Sequence, residues 1–419
     1  MKKLITTLSA TVALALTLSA ADFIAPSSIK GDLANLNASS KELAGLKYTT
    51  IYLYPQTTIR GNDAEANKKF DSAKAIKADV AVIANQREFS VVLKWADTTN
   101  SSQSLKSVKA FGDAVAVQFP QKCIELAKTS SEPTDTVIGT NDTKQPMTQL
   151  PYIGMGSDGR PVTILLQKNT GGVYSATTSD ITMQQVKENM NLFGDELKKK
   201  EEAIAKSINP KYQKVFVAEG FRSTTEVKEA TGYKMDMKYS NGKWTAIFTK
   251  PISDAYSTEC AVEPLAIAIW DGAKDGRNGI KWLSSWTPIE FKGGEQSKKI
   301  ISMMTEKVKG DVVKGKKLAT DNCYACHTMG DNKAPEGMAP NLNNIGGYST
   351  AAYLRESITA PSAVVVPGPN VNQKPSMQFY SVDSAGKRTS NMPTFDFLKP
   401  NEVDDLVAYL QTLKAGGAK

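Results

Sequence analysis

Between Lys47 and Phe291 the apolar positions come in short runs separated by turn residues: Tyr48 to Tyr54, Val80 to Ile83, Phe89 to Trp95, Ala114 to Phe119, Val162 to Leu166, Val215 to Ala218, Trp244 to Phe248 and Leu265 to Trp270. Runs of this length, rich in β-branched and aromatic residues, predict the strands of a β-sandwich or barrel. One segment breaks the pattern: residues 182–208 are rich in Lys, Glu, Gln and Leu and predict a helix inserted between strands. The run from Lys292-Gly293-Gly294 to Lys299 reads as a linker, and beyond it the apolar spacing turns helical. Gly315 to Ala319 falls in a short amphipathic helix. Pro400 opens another, with Asp404 and Asp405 in its first turn, Val403, Leu406, Val407, Leu410 and Leu413 at helical spacing, and Gly416 as its stop. The expected fold is multidomain, a mainly-β sandwich over residues 22–300 followed by a small all-α domain over 301–419.

Residues 1–21 stand apart. Lys2 and Lys3 precede the apolar Leu4 to Leu18, and small residues follow at Ser19, Ala20 and Ala21, the build of a secretory signal peptide cleaved after Ala20 or Ala21. The stretch falls short of the roughly 20 apolar residues that span a bilayer, and no later run reaches that length. The mature chain is therefore expected to have no transmembrane span and to reside in the periplasm. Of the 419 residues 41% are hydrophobic and 22% charged, the balance of a folded globular chain. The net charge of +8 is spread along the chain and forms no patch for nucleic acid. His327 is the only histidine, so any chemistry that needs two is excluded.

That histidine closes Cys323-Tyr324-Ala325-Cys326-His327, a C-x-x-C-H sequence, which is the attachment signature of c-type haem. The two thiols, one helical turn apart, add to the porphyrin vinyl groups and set the imidazole beneath the iron as proximal ligand. A zinc site or a redox C-x-x-C is the competing reading, but zinc needs further ligands, and the other cysteines, Cys123 and Cys260, lie far away in the sandwich. Those two are candidates for a disulfide in an oxidising compartment, although sequence does not set their separation. Gly315 to Ala319 upstream, then Ala339-Pro340-Asn341-Leu342, Met392-Pro393 and the helix from Pro400, resemble class I cytochrome c over about residues 305–419. The resemblance implies first and last helices crossing beside the haem, and Met392 as sixth ligand with Met377 as its rival. His/Met ligation leaves no open position for substrate, which points to electron transfer and away from catalysis.

Gly154-Met155-Gly156-Ser157-Asp158-Gly159 matches G-x-G-x-x-G, but the dinucleotide fingerprint needs a helix directly afterwards, and the strand-like Val162 to Leu166 follows instead. The glycines are expected to build a tight turn presenting Met155. Further phrases accompany it: Val92-Leu93-Lys94-Trp95, Asp113 to Pro120, Pro161-Val162, and Ala268-Ile269-Trp270-Asp271-Gly272 ahead of Arg277-Asn278-Gly279-Ile280-Lys281 and Trp286. Together they resemble the haem b-binding domain of the ethylbenzene dehydrogenase gamma-subunit family, over about residues 45–292. That family includes gamma subunits of dimethylsulfide dehydrogenase, selenate reductase and chlorate reductase. The resemblance implies a two-sheet sandwich holding haem b between Met155 and Lys281. It also implies partnership with a molybdopterin catalytic subunit of the dimethyl sulfoxide reductase family and its iron-sulfur subunit. Arg277 is a candidate partner for a haem b propionate, with a solvated loop arginine as the alternative. Lysine binds iron only as the free amine; from a reference pKa near 10.4, deprotonation at pH 7 costs about 4.6 kcal/mol, which burial and the metal bond must supply.

The chain is thus expected to be a periplasmic dihaem electron carrier, the electron-transfer subunit or redox partner of a molybdopterin oxidoreductase, with no catalytic residue of its own. The alternative is a monohaem cytochrome c fused to a ligand- or carbohydrate-binding β-sandwich, in which Trp95, Trp270 and Trp286 form a platform or merely core. A third reading is a haem enzyme with a labile axial ligand.

Overall fold

Alternation along the apolar runs sends successive side chains to opposite faces, so each strand contributes to two different cores. The computed structural model describes residues 23–28, 32–59, 64–102, 111–124, 150–170, 212–220, 223–253, 259–335, 337–363, 365 and 379–416. The leader expected over 1–21, the helix expected over 182–208 and Met377 lie outside the described residues. In chain order the strands of the first part are β1 (Ser27–Ser28), β2 (Thr49–Pro55), β3 (Ile76–Ala84), β4 (Glu88–Ala96), β5 (Ala114–Pro120), β6 (Val162–Lys168), β7 (Tyr212–Ala218), β8 (Thr225–Glu226), β9 (Lys234–Ser240), β10 (Lys243–Pro251), β11 (Val262–Trp270), β12 (Trp282–Leu283) and β13 (Thr287–Glu290). Helix α1 (Ala64–Asp71) lies between β2 and β3.

The sandwich is one sheet folded over. The order β8-β7-β6-β5-β11 makes one layer and β2-β3-β4-β10-β9 the other, and the two-residue β12 bonds to both β11 and β2. All pairings are antiparallel except that of β1 with β3. Between the layers, Val115, Val117 and Phe119 of β5 and Leu265, Ile267 and Ile269 of β11 pack with Val80 and Val82 of β3 and Val91 and Leu93 of β4. The outer face of the second layer, with Ile83, Val92 and Ile247, is covered by Leu33 and Leu43 of the N-terminal segment. A disulfide joins Cys123 to Cys260, just past the end of β5 and just before β11. Those strands are neighbours, and the two Cα atoms are 5.4 Å apart.

The helical part comprises α2 (Glu295–Thr305), α3 (Val312–Asn322), α4 (Ile345–Tyr348), α5 (Ala351–Thr359), the hairpin β14 (Tyr380–Val382) and β15 (Arg388–Ser390), and α6 (Pro400–Thr412). The stretch expected as a linker is therefore helical from Glu295 onward. Its Lys and Glu residues face water while Ile300, Ile301 and Met304 are buried, an amphipathic pattern that the flanking glycines obscured. Asp311 caps α3 by accepting from the Val313 and Lys314 amides, and Thr350 caps α5 at Tyr353. Helices α3 and α6 cross at Gly315, where any Cβ would collide with the Asp405 carbonyl.

This helical part lies directly on the outer face of the first layer. Ala116, Ile164, Ala266, Ala268 and Leu283 share one core with Ile345, Tyr348, Leu354 and Leu406. The seam also carries polar contacts: Thr57 Oγ1 donates to Asn341 O at 2.9 Å, and Arg160 lies 3.7 Å from Glu356 with both side chains buried. Tyr152 and Tyr353 rings stand 5.8 Å apart, and Arg388 pairs with Asp158. Removing one member of a buried ion pair strands the other. Glu356→Gln is expected to cost about 3–5 kcal/mol of stability, measured as a lowered midpoint in urea denaturation followed by near-ultraviolet circular dichroism.

Candidate functional site

The last turn of α3 runs straight into the C-x-x-C-H segment. Cys323 N donates to Ala319 O at 2.8 Å, and the amides of Cys326 and His327 both return to Cys323 O, at 3.1 and 2.9 Å. One tight turn therefore gathers both thiols and the imidazole, and Asn332 pins it by donating to Tyr324 O and His327 O. Cys323 is half-buried and Cys326 exposed, both as free thiols. His327 is buried, and its Nδ1 lies 2.8 Å from Pro340 O. A carbonyl can only accept, so Nδ1 carries the proton and Nε2 keeps its lone pair, the state a metal-bound histidine adopts. Burial pulls the His327 pKa down against the opposing pull of the Pro340 bond, which favours the neutral ring. Met392, half-buried in β15's outgoing loop, packs against the same core as Cys323, Tyr324, Leu342 and Phe395, and its amide donates to Ser390 Oγ. The donor types fit a covalently attached haem: two thiols and an imidazole with a free lone pair on one turn, and a thioether packed against the same core as Cys323.

The sandwich residues occupy the outer face beneath this helical part. Lys281 precedes β12 and is level with Trp270 across the β11–β12 pair, its ammonium 5.4 Å from the Trp270 ring. Only 7% of the residue is exposed, and its ammonium donates to Asn278 O at 3.3 Å. No carboxylate pairs with it among the described residues. Burial alone pushes its pKa from 10.5 down to about 8. Met155 lies at the other end of the face, in the turn ahead of β6. Gly156 N closes that turn on Tyr152 O, and Met155 O accepts from Gly220 N. Both Met155 and Gly156 have positive φ, at 83° and 79°. A Cβ at Gly156 would press on the Ala218 and Arg160 carbonyls, which accounts for glycine there.

Met155 and Lys281 thus share a face without touching, at opposite corners of it. The diagonal between them crosses Ala116 and Ala268, which pair in register, and passes beside Ala266. All three are buried in one core with Ile345, Tyr348 and Leu354 of the helical part. A thioether and a buried amine with no carboxylate partner among the described residues are donors of the kind that bind a haem iron. The Arg277 guanidinium donates to Asp275 O and stacks over Phe111 at 4.5 Å.

Two features escaped the sequence reading. Thr57 bridges the parts through a contact with a residue hundreds of positions away, and local pattern carries no signal for that. Asp97, Asp113 and Asp271 converge within 4.8 Å, but their oxygens are already engaged. Asp113 accepts from Ser101 N, Gly272 N and Trp244 Nε1, Asp271 from Ala273 N and Lys274 Nζ, and Asp97 from Thr99. They serve as turn and strand anchors. Burial nevertheless pushes the Asp113 carboxyl up to about 6.

Residues 48–281, more than half of the chain, match the family model described as ethylbenzene dehydrogenase. The chain belongs to the ethylbenzene dehydrogenase family. Residues 312–414 match the cytochrome c family, as the C-x-x-C-H turn and the α3–α6 crossing require. Among solved structures, a family 9 carbohydrate-binding module from Caldicellulosiruptor kristjanssonii in complex with glucose is 6% identical, with 65% of this chain and 96% of that chain covered and a TM-score of 0.28. A putative carbohydrate-binding protein from Bacteroides uniformis is 7% identical, over 65% and 92% of the two chains, with a TM-score of 0.27. Likeness at that level says nothing of function. No curated protein matches the chain. The two family matches make this an electron-transfer haem protein related to a molybdoenzyme subunit, with covalent haem c in its helical part. No helix among the described residues is long and apolar enough to cross a membrane.

The depressed Lys281 pKa has a testable sign. Between about pH 8 and 10.5 the unfolded chain holds a proton on this amine that the folded chain has released, so haem-free protein gains stability as pH rises through that window. Denaturation midpoints at pH 7.5 to 10.5 are expected to show a positive slope that Lys281→Met reduces.

Proposed function

We propose that this protein is a dihaem electron carrier of the periplasm, passing electrons between a molybdopterin oxidoreductase of the dimethyl sulfoxide reductase family and a second redox protein. The observation that carries the reading is a shared core: the helical part bearing Cys323, Cys326 and His327 is packed on the very sandwich face flanked by Lys281 and Met155. Cys323 and Cys326 would hold haem c covalently, with His327 and Met392 as the side chains that would bind its iron, and Met155 and Lys281 would hold haem b.

When bound, the two haems supply reversible one-electron chemistry. The chain's own part is to position and insulate. Pro340 fixes the tautomer and plane of His327, and the buried environment holds Lys281 ready to lose its proton. With these side chains as ligands neither centre would offer a place for substrate, which supports the carrier reading. Export fits the C-x-x-C-H motif and the Cys123–Cys260 disulfide, since thiols pair stably in an oxidising compartment.

Haem counting tests the reading. Purified holoprotein is expected to release one haem into acid acetone and keep one bound to the polypeptide. Met155→Ala and Lys281→Ala each lower the extractable haem while leaving the bound one, and Met392→Ala alters only the spectrum of the bound one. A preparation fully loaded with covalent haem that releases none would overturn the dihaem assignment. Co-purification with a molybdenum-containing subunit tests the partner.

A further inference from the structure

Lys281 and His327 belong to different halves of the molecule, yet a short run of hydrogen bonds joins them. The carbonyl of Lys281 accepts from Gln56 N at 2.9 Å. Gln56 is bonded to Thr57, whose Oγ1 donates across the seam to Asn341 O at 2.9 Å. Asn341 is bonded to Pro340, whose carbonyl accepts from His327 Nδ1 at 2.8 Å. Thr57 is 1% exposed, and Asn341, Lys281 and His327 are also buried, so water does not compete for these bonds. Tyr348, buried as well, holds its hydroxyl 3.5 Å from Thr57 Oγ1 and closes the space around it.

We propose that Thr57 is the bridging residue of an electron path from the Lys281 side of haem b to the His327 side of haem c. The inference rests on the dihaem reading and adds to it the residue that couples the two centres. Electrons tunnel more readily along bonded and hydrogen-bonded atoms than across gaps, and this route crosses the seam through one hydrogen bond. The rest of it is backbone, the side chains of Lys281, Thr57 and His327, and two further hydrogen bonds, one within each half. Transfer along it is an exchange of one electron: one iron goes from ferrous to ferric, the other from ferric to ferrous, and no proton need leave. Thr57 touches neither iron, so its role is one of coupling.

The test is the rate of re-equilibration between the haems after a flash-excited flavin reduces one of them, followed at their separate absorption bands. In Thr57→Val, which keeps the shape and removes the hydroxyl, the rate is expected to fall severalfold while haem content, low-spin spectra and both midpoint potentials stay as in the parent. Thr57→Ser is expected to restore it, and Thr57→Cys, a weaker donor, to fall between and to serve if the valine variant does not fold. An unchanged rate in Thr57→Val or Thr57→Cys overturns the path while leaving the dihaem reading intact. A shift in either midpoint potential that accounts for the altered rate also overturns it, since Thr57 would then act on structure alone. Absence of extractable haem in the parent protein overturns both proposals, so the two failures are told apart.

Discussion

The outer face of β5, β6, β11 and β12 is apolar, and an apolar sheet face must be covered. The opposite layer solves the same problem cheaply with short N-terminal turns around Leu33 and Leu43. Here the cover is the whole helical part, through Ile345, Tyr348 and Leu354. Much else follows from that burial. Arg160 and Glu356 must pair because neither reaches water, and Thr57 can reach Asn341 only because the two parts are pressed together. The arrangement resembles a domain core more than a transient contact between carriers.

The energetics of Lys281 show how strongly burial acts. Keeping an ordinary lysine neutral at pH 7 costs about 5 kcal/mol. A pKa near 8 means that burial alone meets more than half of that requirement. A carboxylate beside Lys281 would reverse the effect by stabilising the ammonium, and the described residues place none there. The acidic trio Asp97, Asp113 and Asp271 is instead tied to backbone amides and to Lys274, on its own turns. Charge in this molecule is thus placed where the fold needs anchors and withheld where a soft or neutral donor is wanted.

The β-runs and the C-x-x-C-H turn were legible in sequence because each is a local pattern: period two for the strands, fixed spacing for the thiols and imidazole. Glu295–Thr305 was misread because Gly293 and Gly294 signal a break one residue before a real helix start, and its apolar stripe is only three or four residues wide. β9 escaped because Lys234, Asp236 and Lys238 make it polar, with only partly buried methionines and tyrosine facing in. The seam was invisible for a different reason. Thr57, Asn341, Arg160 and Glu356 are ordinary residues in their own segments, and only the tertiary packing makes them partners.

Fusion by itself does not fix how fast electrons move between two cofactors; a flexible tether leaves that to encounter between the domains. Replacing a linker by α2 changes the regime. Ile300, Ile301 and Met304 bury that helix against β13 and α5, so it contacts both parts and cannot act as a swivel. The Arg160–Glu356 pair, the Arg388–Asp158 pair and the Thr57–Asn341 bond then fix the orientation at three separated points. If both parts carry a haem, as proposed, coupling between the halves would be a property of covalent and hydrogen-bonded atoms in fixed register, and not one of collision frequency.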